Sequence, residues 1–260
     1  MKELLAELDR GENSHKGENG KVAVIGGSVD FTGAPALAAE AALRTGSDLT
    51  RVLTSEKVRD VIAGYSENLI VGSYTGDYFG HGAVKAAVEL SEWSDTTVVG
   101  PGLSEPDTEA LKQFFSRRDS SLVVDADAIE PAVEAGVSDA VLTPHQGEAE
   151  IIEERRGSVE EFVEETGSVV VVKGSTDRIY TSERVYENGT GCAGMTVGGT
   201  GDVLAGIIAS LVSRGMGLED AARAGAWVNG KAGERACEKY GNGMVATDLL
   251  GEVAGTVSKH

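Results

Sequence analysis

Cysteine, proline and aromatic side chains are all scarce in this sequence: two Cys, five Pro, and 5 % Phe, Trp and Tyr together. Cys192 and Cys237 form no Cys-x-x-Cys and have no neighbouring histidine to complete a zinc set, which excludes a zinc module and a disulfide-scaffolded miniature. Two free thiols in a reducing compartment are therefore expected. Nowhere does a run of about 18 or more apolar residues occur, so no membrane helix is expected. Residues 1–10 alternate charged and apolar side chains instead of building the apolar stretch of a signal peptide, and a cytoplasmic protein is expected.

Positive charge is also in short supply. Against 23 Lys and Arg stand 42 Asp and Glu, a formal net charge of -19. Such a surface repels phosphate backbones, so neither nucleic acid nor an anionic membrane surface is an expected partner. The acidic residues are spread along the chain, as Glu67, Asp77, Glu92, Asp107, Glu134, Asp139, Glu160 and Glu238 illustrate, rather than gathered in one tail. A uniformly acidic surface repels itself, and salt screens that repulsion, so adaptation to a salt-rich interior is one expectation.

What the chain does have is 35 glycines and a regular alternation of short β-branched runs with longer amphipathic stretches. Residues 21–25, 50–53, 68–71, 96–99, 122–124, 140–142 and 169–172 predict strands, and several are continuously apolar, as strands buried on both faces of a parallel sheet are. Between them, 34–45, 56–63, 83–93, 108–117 and 148–154 carry helical spacing. The alternation predicts an α/β fold, a doubly wound and mainly parallel sheet flanked by helices. Beyond Lys173 the pattern changes to a hairpin over 178–181 and 184–187, a glycine-rich loop, and helices over 202–213, 218–240 and 246–257. No repeat and no linker rich in Pro, Gly or Ser interrupts the chain, so one domain over 1–260 is expected.

Chemistry concentrates in Gly198-Gly199-Thr200-Gly201-Asp202, which opens directly into an apolar helical stretch. Glycines at a helix start expose backbone N–H groups and let a phosphate approach them, so Gly199, Thr200 and Gly201 outline an anion hole. Asp202 has two readings: an acidic first-turn residue favoured by the helix dipole, or a base fixed beside the anion hole, as deprotonating a hydroxyl for phosphoryl transfer requires. Gly26-Gly27-Ser28 lacks the Gly-x-Gly-x-x-Gly spacing of a dinucleotide fold, and no Gly-x-x-x-x-Gly-Lys-Ser/Thr occurs, so a nucleotide must be held by other means.

A set of segments appears in a telling order: Val24-Ile25-Gly26-Gly27-Ser28, Thr32-Gly33-Ala34-Pro35 with Ala41-Ala42-Leu43-Arg44-Thr45-Gly46, Gly100-Pro101-Gly102-Leu103, Asp125-Ala126-Asp127-Ala128, Thr143-Pro144-His145-Gln146-Gly147-Glu148, Lys173-Gly174 and the Gly-Gly-Thr-Gly-Asp loop. From about residue 16 to 250 the chain resembles the carbohydrate-kinase-like domain of the NAD(P)H-hydrate dehydratases, a ribokinase-superfamily branch, in the form without the fused epimerase domain. The resemblance implies that ADP, or ATP in some members, phosphorylates the hydroxyl added to a reduced nicotinamide ring, and that loss of phosphate regenerates NADH or NADPH. It implies Asp202 as the base at the substrate hydroxyl, and Gly201 beside the nucleotide phosphates. Lys173, Gly174, Ser175, Thr176 and Asp177 would contact the AMP part of the donor, and Ala34, Gly102 and His145 the hydrated cofactor.

Glu148 either caps a helix or orders Mg²⁺ through water, since magnesium prefers a few carboxylates and substrate phosphates to a full protein cage. Asp125 and Asp127 admit the same metal reading, or serve as turn formers. The resemblance further implies a homo-oligomer, and a separate NAD(P)H-hydrate epimerase in the same pathway. Three departures stand out: Ser175 follows Lys-Gly, Ser104 stands where glycine often does, and Asn229 where the family often has histidine. Two other functions fit the fold: a kinase for a vitamin-precursor alcohol, and a non-catalytic nucleotide-binding protein.

Overall fold

The structure, a computed structural model, describes residues 1, 4–5 and 13–258. Its strands are β1 (Lys21–Ile25), β2 (Leu49–Ser55), β3 (Ile70–Tyr74), β4 (Thr96–Val99), β5 (Ser121–Val124), β6 (Ala140–Leu142), β7 (Val169–Val172), β8 (Asp177–Tyr180) and β9 (Val185–Asn188). Among the described residues they form one sheet in the order β3-β2-β1-β4-β5-β6-β7-β8-β9. The pairs from β3 through to β7 are parallel, and β7-β8-β9 closes the edge as an antiparallel meander. This is the doubly wound, mainly parallel α/β sheet that the alternation predicts.

The continuous apolar runs are explained by burial on both faces. In β7, Val169 and Val171 join one core cluster while Val170 and Val172 join the other, as side chains of period two must when both faces are covered. The first face is covered by α1 (Gly33–Thr45), α8 (Thr200–Ser213), α9 (Leu218–Tyr240) and α10 (Ala246–Val257), the second by α3 (His81–Trp93), α4 (Thr108–Phe115), α5 (Ile129–Ala135), α6 (Gln146–Arg156) and α7 (Val159–Thr166). A short α2 (Arg59–Ala63) follows β2. Alanines 38, 39, 41 and 42 of α1 are fully buried, and α8 comes so close that a β-carbon on Gly206 would collide with the Ala38 carbonyl. Small side chains here bring the start of α8 under the sheet edge.

Register does the rest. Ile25 pairs with Leu53 on one side and Val99 on the other, Val99 with Val124, and Val124 with Leu142. The residues that follow, Gly26, Gly100, Asp125 and Thr143, therefore stand in one row along the carboxyl edge. Chain direction across the sheet reverses at β1 and β4, the position where open α/β sheets bind ligands.

Several expectations need adjustment. Edge strand β3 starts at Ile70 rather than 68 and continues through Gly72-Ser73-Tyr74, residues with no apolar period to mark them. Of 56–63 only Arg59–Ala63 is helical. Helices α5 and α7 lie outside the predicted set. The expectation of free thiols is wrong: Cys192 and Cys237 form a disulfide, their Cα atoms 6.8 Å apart. Gly191 donates its N–H to Glu234 Oε1 at 3.1 Å, which lays the segment after β9 along α9 and sets the two sulfurs face to face. Among the described residues no helix is long and apolar enough to cross a membrane.

Candidate active site

Asp125 follows β5, is 2 % exposed, and is held from two neighbouring strand ends. The Thr143 hydroxyl after β6 donates to its Oδ1 at 2.9 Å and the Lys173 ammonium after β7 at 2.8 Å. A buried carboxylate needs such partners, because desolvation otherwise drives it to the neutral form. Lys173 is thus more than an exposed strand end. Burial pulls its ammonium toward neutrality, but the carboxylates of Asp125, Glu148 and Asp202 outweigh this and hold it above the ordinary lysine range.

The start of α8 meets this pair. Gly199 holds a left-handed φ of 96° as the residue before the first turn, a conformation that only glycine adopts readily. The Thr200 hydroxyl donates back to Met195 O at 3.0 Å and Val197 O at 3.2 Å, pinning the loop where Thr200 and Gly201 line a cavity. The side-chain position absent from Gly201 lies 3.2 Å from Lys173 Nζ and 3.9 Å from Asp125 Oδ2. An ammonium and a helix N-terminus so placed both favour negative charge between them.

Asp202 occupies the first turn of the same helix, and among the described residues no cation lies within ion-pair distance of it. Burial, then the nearby carboxylate of Asp125, push its carboxyl up to about 7, with Asp127 adding to the shift and Lys173 opposing it. A group that exchanges its proton near neutral pH beside an anion site is suited to general-base work.

Around the edge, Ala34 and Gly102 come together: the position of an added β-carbon on Gly102 lies 3.4 Å from Ala34 Cβ and 3.0 Å from Phe31 Cβ. Phe31 is 56 % exposed beside them, an apolar surface at the switch point. His145 precedes α6 in a reciprocal cap, its Nδ1 accepting from the Glu148 N–H at 3.1 Å while Glu148 Oε2 accepts from the His145 N–H at 2.7 Å. Nδ1 is thereby an acceptor, so Nε2 carries the ring proton on an exposed side chain. The helix-capping reading of Glu148 is correct. Its carboxylate also raises the proton affinity of Lys173 and shares with Asp127 and Ser104 a cavity of about 350 Å³.

Ser104 holds φ 65°, the backbone a glycine would take without strain. Its N–H donates to Asp127 Oδ2 and its hydroxyl to Asp30 Oδ2, each at 2.8 Å. Among the described residues no group of three or more His, Cys, Asp or Glu is arranged to hold a metal ion.

A cavity of about 450 Å³ opens from this corner, lined by Lys173, Gly174, Ser175, Asp177, Thr200 and Gly201, and further on by Thr190, Met195, Leu204 and Asn229. Thr176 turns the other way, into a neighbouring cavity with Gln146 and Arg178. Asp177 shapes the turn: its Oδ1 accepts from the Gly174 N–H at 3.1 Å and its Oδ2 from Asn188 Nδ2 at 3.0 Å. The sequence alone did not single out the Lys173–Asp125 pair or the 190–196 wall.

Residues 22–254 match the family model described as NAD(P)H-hydrate dehydratase. The chain is 48 % identical over 233 residues, 90 % of each chain, to the ADP-dependent (S)-NAD(P)H-hydrate dehydratase of Natrialba magadii. It is 42 % identical over 240 residues, 92 % of this chain and 93 % of the other, to the protein of the same name from Haloterrigena turkmenica. A crystal structure of the ADP/ATP-dependent NAD(P)H-hydrate dehydratase from Bacillus subtilis, co-crystallised with ATP and Mg²⁺, superposes with a TM-score of 0.80 at 26 % identity, covering 100 % of this chain and 96 % of that one. With the row of motifs on the carboxyl edge, these matches show that the chain belongs to the NAD(P)H-hydrate dehydratase family, on a ribokinase-like fold.

Proposed function

We propose that this chain is a carbon–oxygen lyase of cofactor repair, which uses ADP in preference to ATP to dehydrate the S-epimer of hydrated NADH and NADPH. The carrying observation is Asp202, its carboxyl pushed up to about 7, in the first turn of the helix whose N-terminus lies against Lys173. In this reading the ring hydroxyl gives its proton to Asp202 as its oxygen attacks the terminal phosphorus of the donor, and AMP leaves ADP. The N–H groups of Thr200 and Gly201 and the Lys173 ammonium hold the phosphate oxygens, stabilising charge where it grows. Loss of phosphate from the ring carbon and of a proton from its neighbour restores the double bond.

The cavity bounded by Lys173, Gly174, Ser175 and Asp177 takes the AMP portion. The nicotinamide side sits at Ala34, Gly102 and His145, where Nε2–H offers a donor. Magnesium fits the available donors: hard carboxylate oxygens of Glu148 and Asp127, which line one cavity and act electrostatically on Lys173 and Asp202, a set that would hold the ion mainly through water and phosphates. When bound, the ion supplies charge neutralisation on the donor phosphates. The chain acts as one domain and assembles as a homo-oligomer, and an epimerase supplies the S-epimer from its R counterpart.

A near-ultraviolet assay with hydrated NADH, Mg²⁺ and ADP, ATP or no nucleotide, repeated in high salt, tests this reading. Recovery of NADH absorbance is expected with nucleotide and greatest with ADP. Recovery independent of nucleotide, or a stable phosphorylated product without recovery, overturns it.

A further inference from the structure

The segment between β9 and α8 forms one wall of the cavity proposed for the nucleotide, with Thr190, Cys192, Ala193, Met195 and Thr196 in the lining. That wall lies flush on α9: a β-carbon on Gly230 would stand 2.1 Å from Thr190 Oγ1, and one on Gly233 2.1 Å from Met195 Sδ. Residues Ala193–Thr196 form a short 3₁₀ turn closed on itself, the Met195 N–H donating to Cys192 O at 3.0 Å and the Thr196 hydroxyl to Ala193 O at 2.9 Å. The Cys192–Cys237 bond is its covalent tie to the last turn of α9. The far end of the same turn reaches the phosphate corner, because Met195 O accepts from the Thr200 hydroxyl at 3.0 Å and Thr200 begins the helix whose Gly201 lies against Lys173. Two hydrogen bonds, Met195 to Cys192 and Thr200 to Met195, thus join the disulfide to the start of α8. Neither cysteine is buried, and Cys192 borders an open cavity, which gives a small reductant access.

We propose that Cys192–Cys237 is a redox modification site, opened by a dithiol, whose state sets the affinity of the cavity for ADP. A thiolate of the dithiol attacks one sulfur and the other cysteine leaves as a thiolate; the second thiolate of the dithiol then displaces the first cysteine. Two electrons and two protons pass to Cys192 and Cys237, and the dithiol ends as a disulfide. With the bond closed, the turn is held on α9 and presents Met195 O to Thr200. With it open, the wall is free to leave α9, and binding ADP must first order it. Coupling of this kind is reciprocal: the factor by which closure tightens ADP is the factor by which ADP favours closure. The site rests on the proposed function in that the cavity takes ADP, and it adds a control that the reaction itself does not use.

The test is calorimetric titration of the whole protein in high salt with ADP, before and after reduction by excess dithiothreitol, the thiol state being read by alkylation and mass. Cys237→Ala is the decisive variant, because Cys237 lies outside the cavity lining, and Cys192→Ala is the second. The oxidised native chain is expected to bind ADP tighter than the reduced chain by about fivefold or more, as coupled sites do. Saturating ADP is expected to shift the dithiothreitol equilibrium toward the disulfide by that same factor. Cys237→Ala is expected to bind ADP as the reduced native chain does and to ignore the reductant. Equal ADP affinity in the two states, with or without a lower unfolding temperature on reduction, marks a purely structural bond and overturns the assignment while leaving the cavity reading intact. So does a chain whose two thiols no disulfide exchange closes, or one that unfolds on reduction, since the bond would then be no control. ADP that binds in neither state overturns the cavity reading and the assignment together.

Discussion

Two lysine–carboxylate clusters in this molecule share a close ammonium–carboxylate contact, yet an acid of each shifts in the opposite direction. On the helical layer, Lys112 Nζ lies 2.6 Å from Glu134 Oε2 and 3.1 Å from Glu109 Oε1, and Arg155 adds a second cation at 3.3 Å from Glu134 Oε1. There the Lys112 hydrogen bond holds the Glu134 carboxyl below the usual range. At the sheet edge, Lys173 lies 2.8 Å from Asp125 Oδ1, but that single ammonium also faces Glu148 and Asp202, and Asp202 is driven upward. The surface cluster sets Lys112 and Arg155 among Glu109, Glu130 and Glu134 in contact with water, and Glu134, touched by both cations, stays ionised. At the site one ammonium serves several carboxylates where burial is deep, and Asp202, which it does not touch, is left with a proton affinity near neutral pH.

Removing that acid should have the largest consequence. Asp202→Asn is expected to lower turnover about 10²–10⁴-fold while ADP still binds, as single-turnover rates and calorimetry would show. Turnover close to native would break the comparison, since the carboxyl would then be a bystander of burial. Lys173→Met comes next. It strands the sealed Asp125 carboxylate, a loss of about 3–5 kcal/mol in buried pairs, read by denaturant unfolding. It also removes the cation that opposes the rise of Asp202, so any residual activity should show its pH midpoint moved up.

The native pH profile follows from the same imbalance. Asp202 accepts a proton only when ionised, so turnover should fall as pH drops through about 7 and level off above it. Stability runs the other way. Between the ordinary carboxylate range and about 7 the folded protein keeps on Asp202 a proton that the unfolded chain has released, so this group's contribution is present at low pH and is lost as pH rises through about 7. Asp202→Asn should therefore unfold at higher temperature than the native chain at pH 8, with the gap closing at pH 4. A gap that is constant with pH would place the Asp202 proton elsewhere.

How much of this was legible in sequence depends on distance along the chain. The Gly199–Asp202 stretch stood out because the glycine loop, the helix start and the carboxylate proposed as base are contiguous. The β-branched and apolar runs of β4, β5 and β7 carried the sheet because strands buried on both faces show no alternating polar side. Helix α7 escaped although Val159, Phe162 and Val163 have helical spacing, since so short an apolar stripe is diluted by the surrounding glutamates. The Lys173–Asp125 pair spans 48 residues and the Cys192–Cys237 bond 45. Neither has a local signal, because parallel register makes the first and the packing of the 191–196 segment on α9 makes the second. Asn229 was visible as a departure from family pattern, and the fold sets it in the wall of the cavity beside Lys173 and Gly201.

The smallest expected effect sharpens the comparison most. Lys112→Met should leave turnover unchanged and lower the unfolding temperature only slightly, because solvent-exposed ion pairs contribute little. Salt then separates the two clusters. At about 1 M the screening length is near 3 Å, so whatever the surface cluster contributes at low ionic strength should vanish, even as the native protein gains stability from screening of its net charge of -19. The Lys173→Met loss should persist in the same salt, since ions do not reach a carboxylate that is 2 % exposed. Equal losses for the two variants in molar salt would mean that burial does not distinguish the clusters, and the account of why Asp202 holds its proton would fail with it.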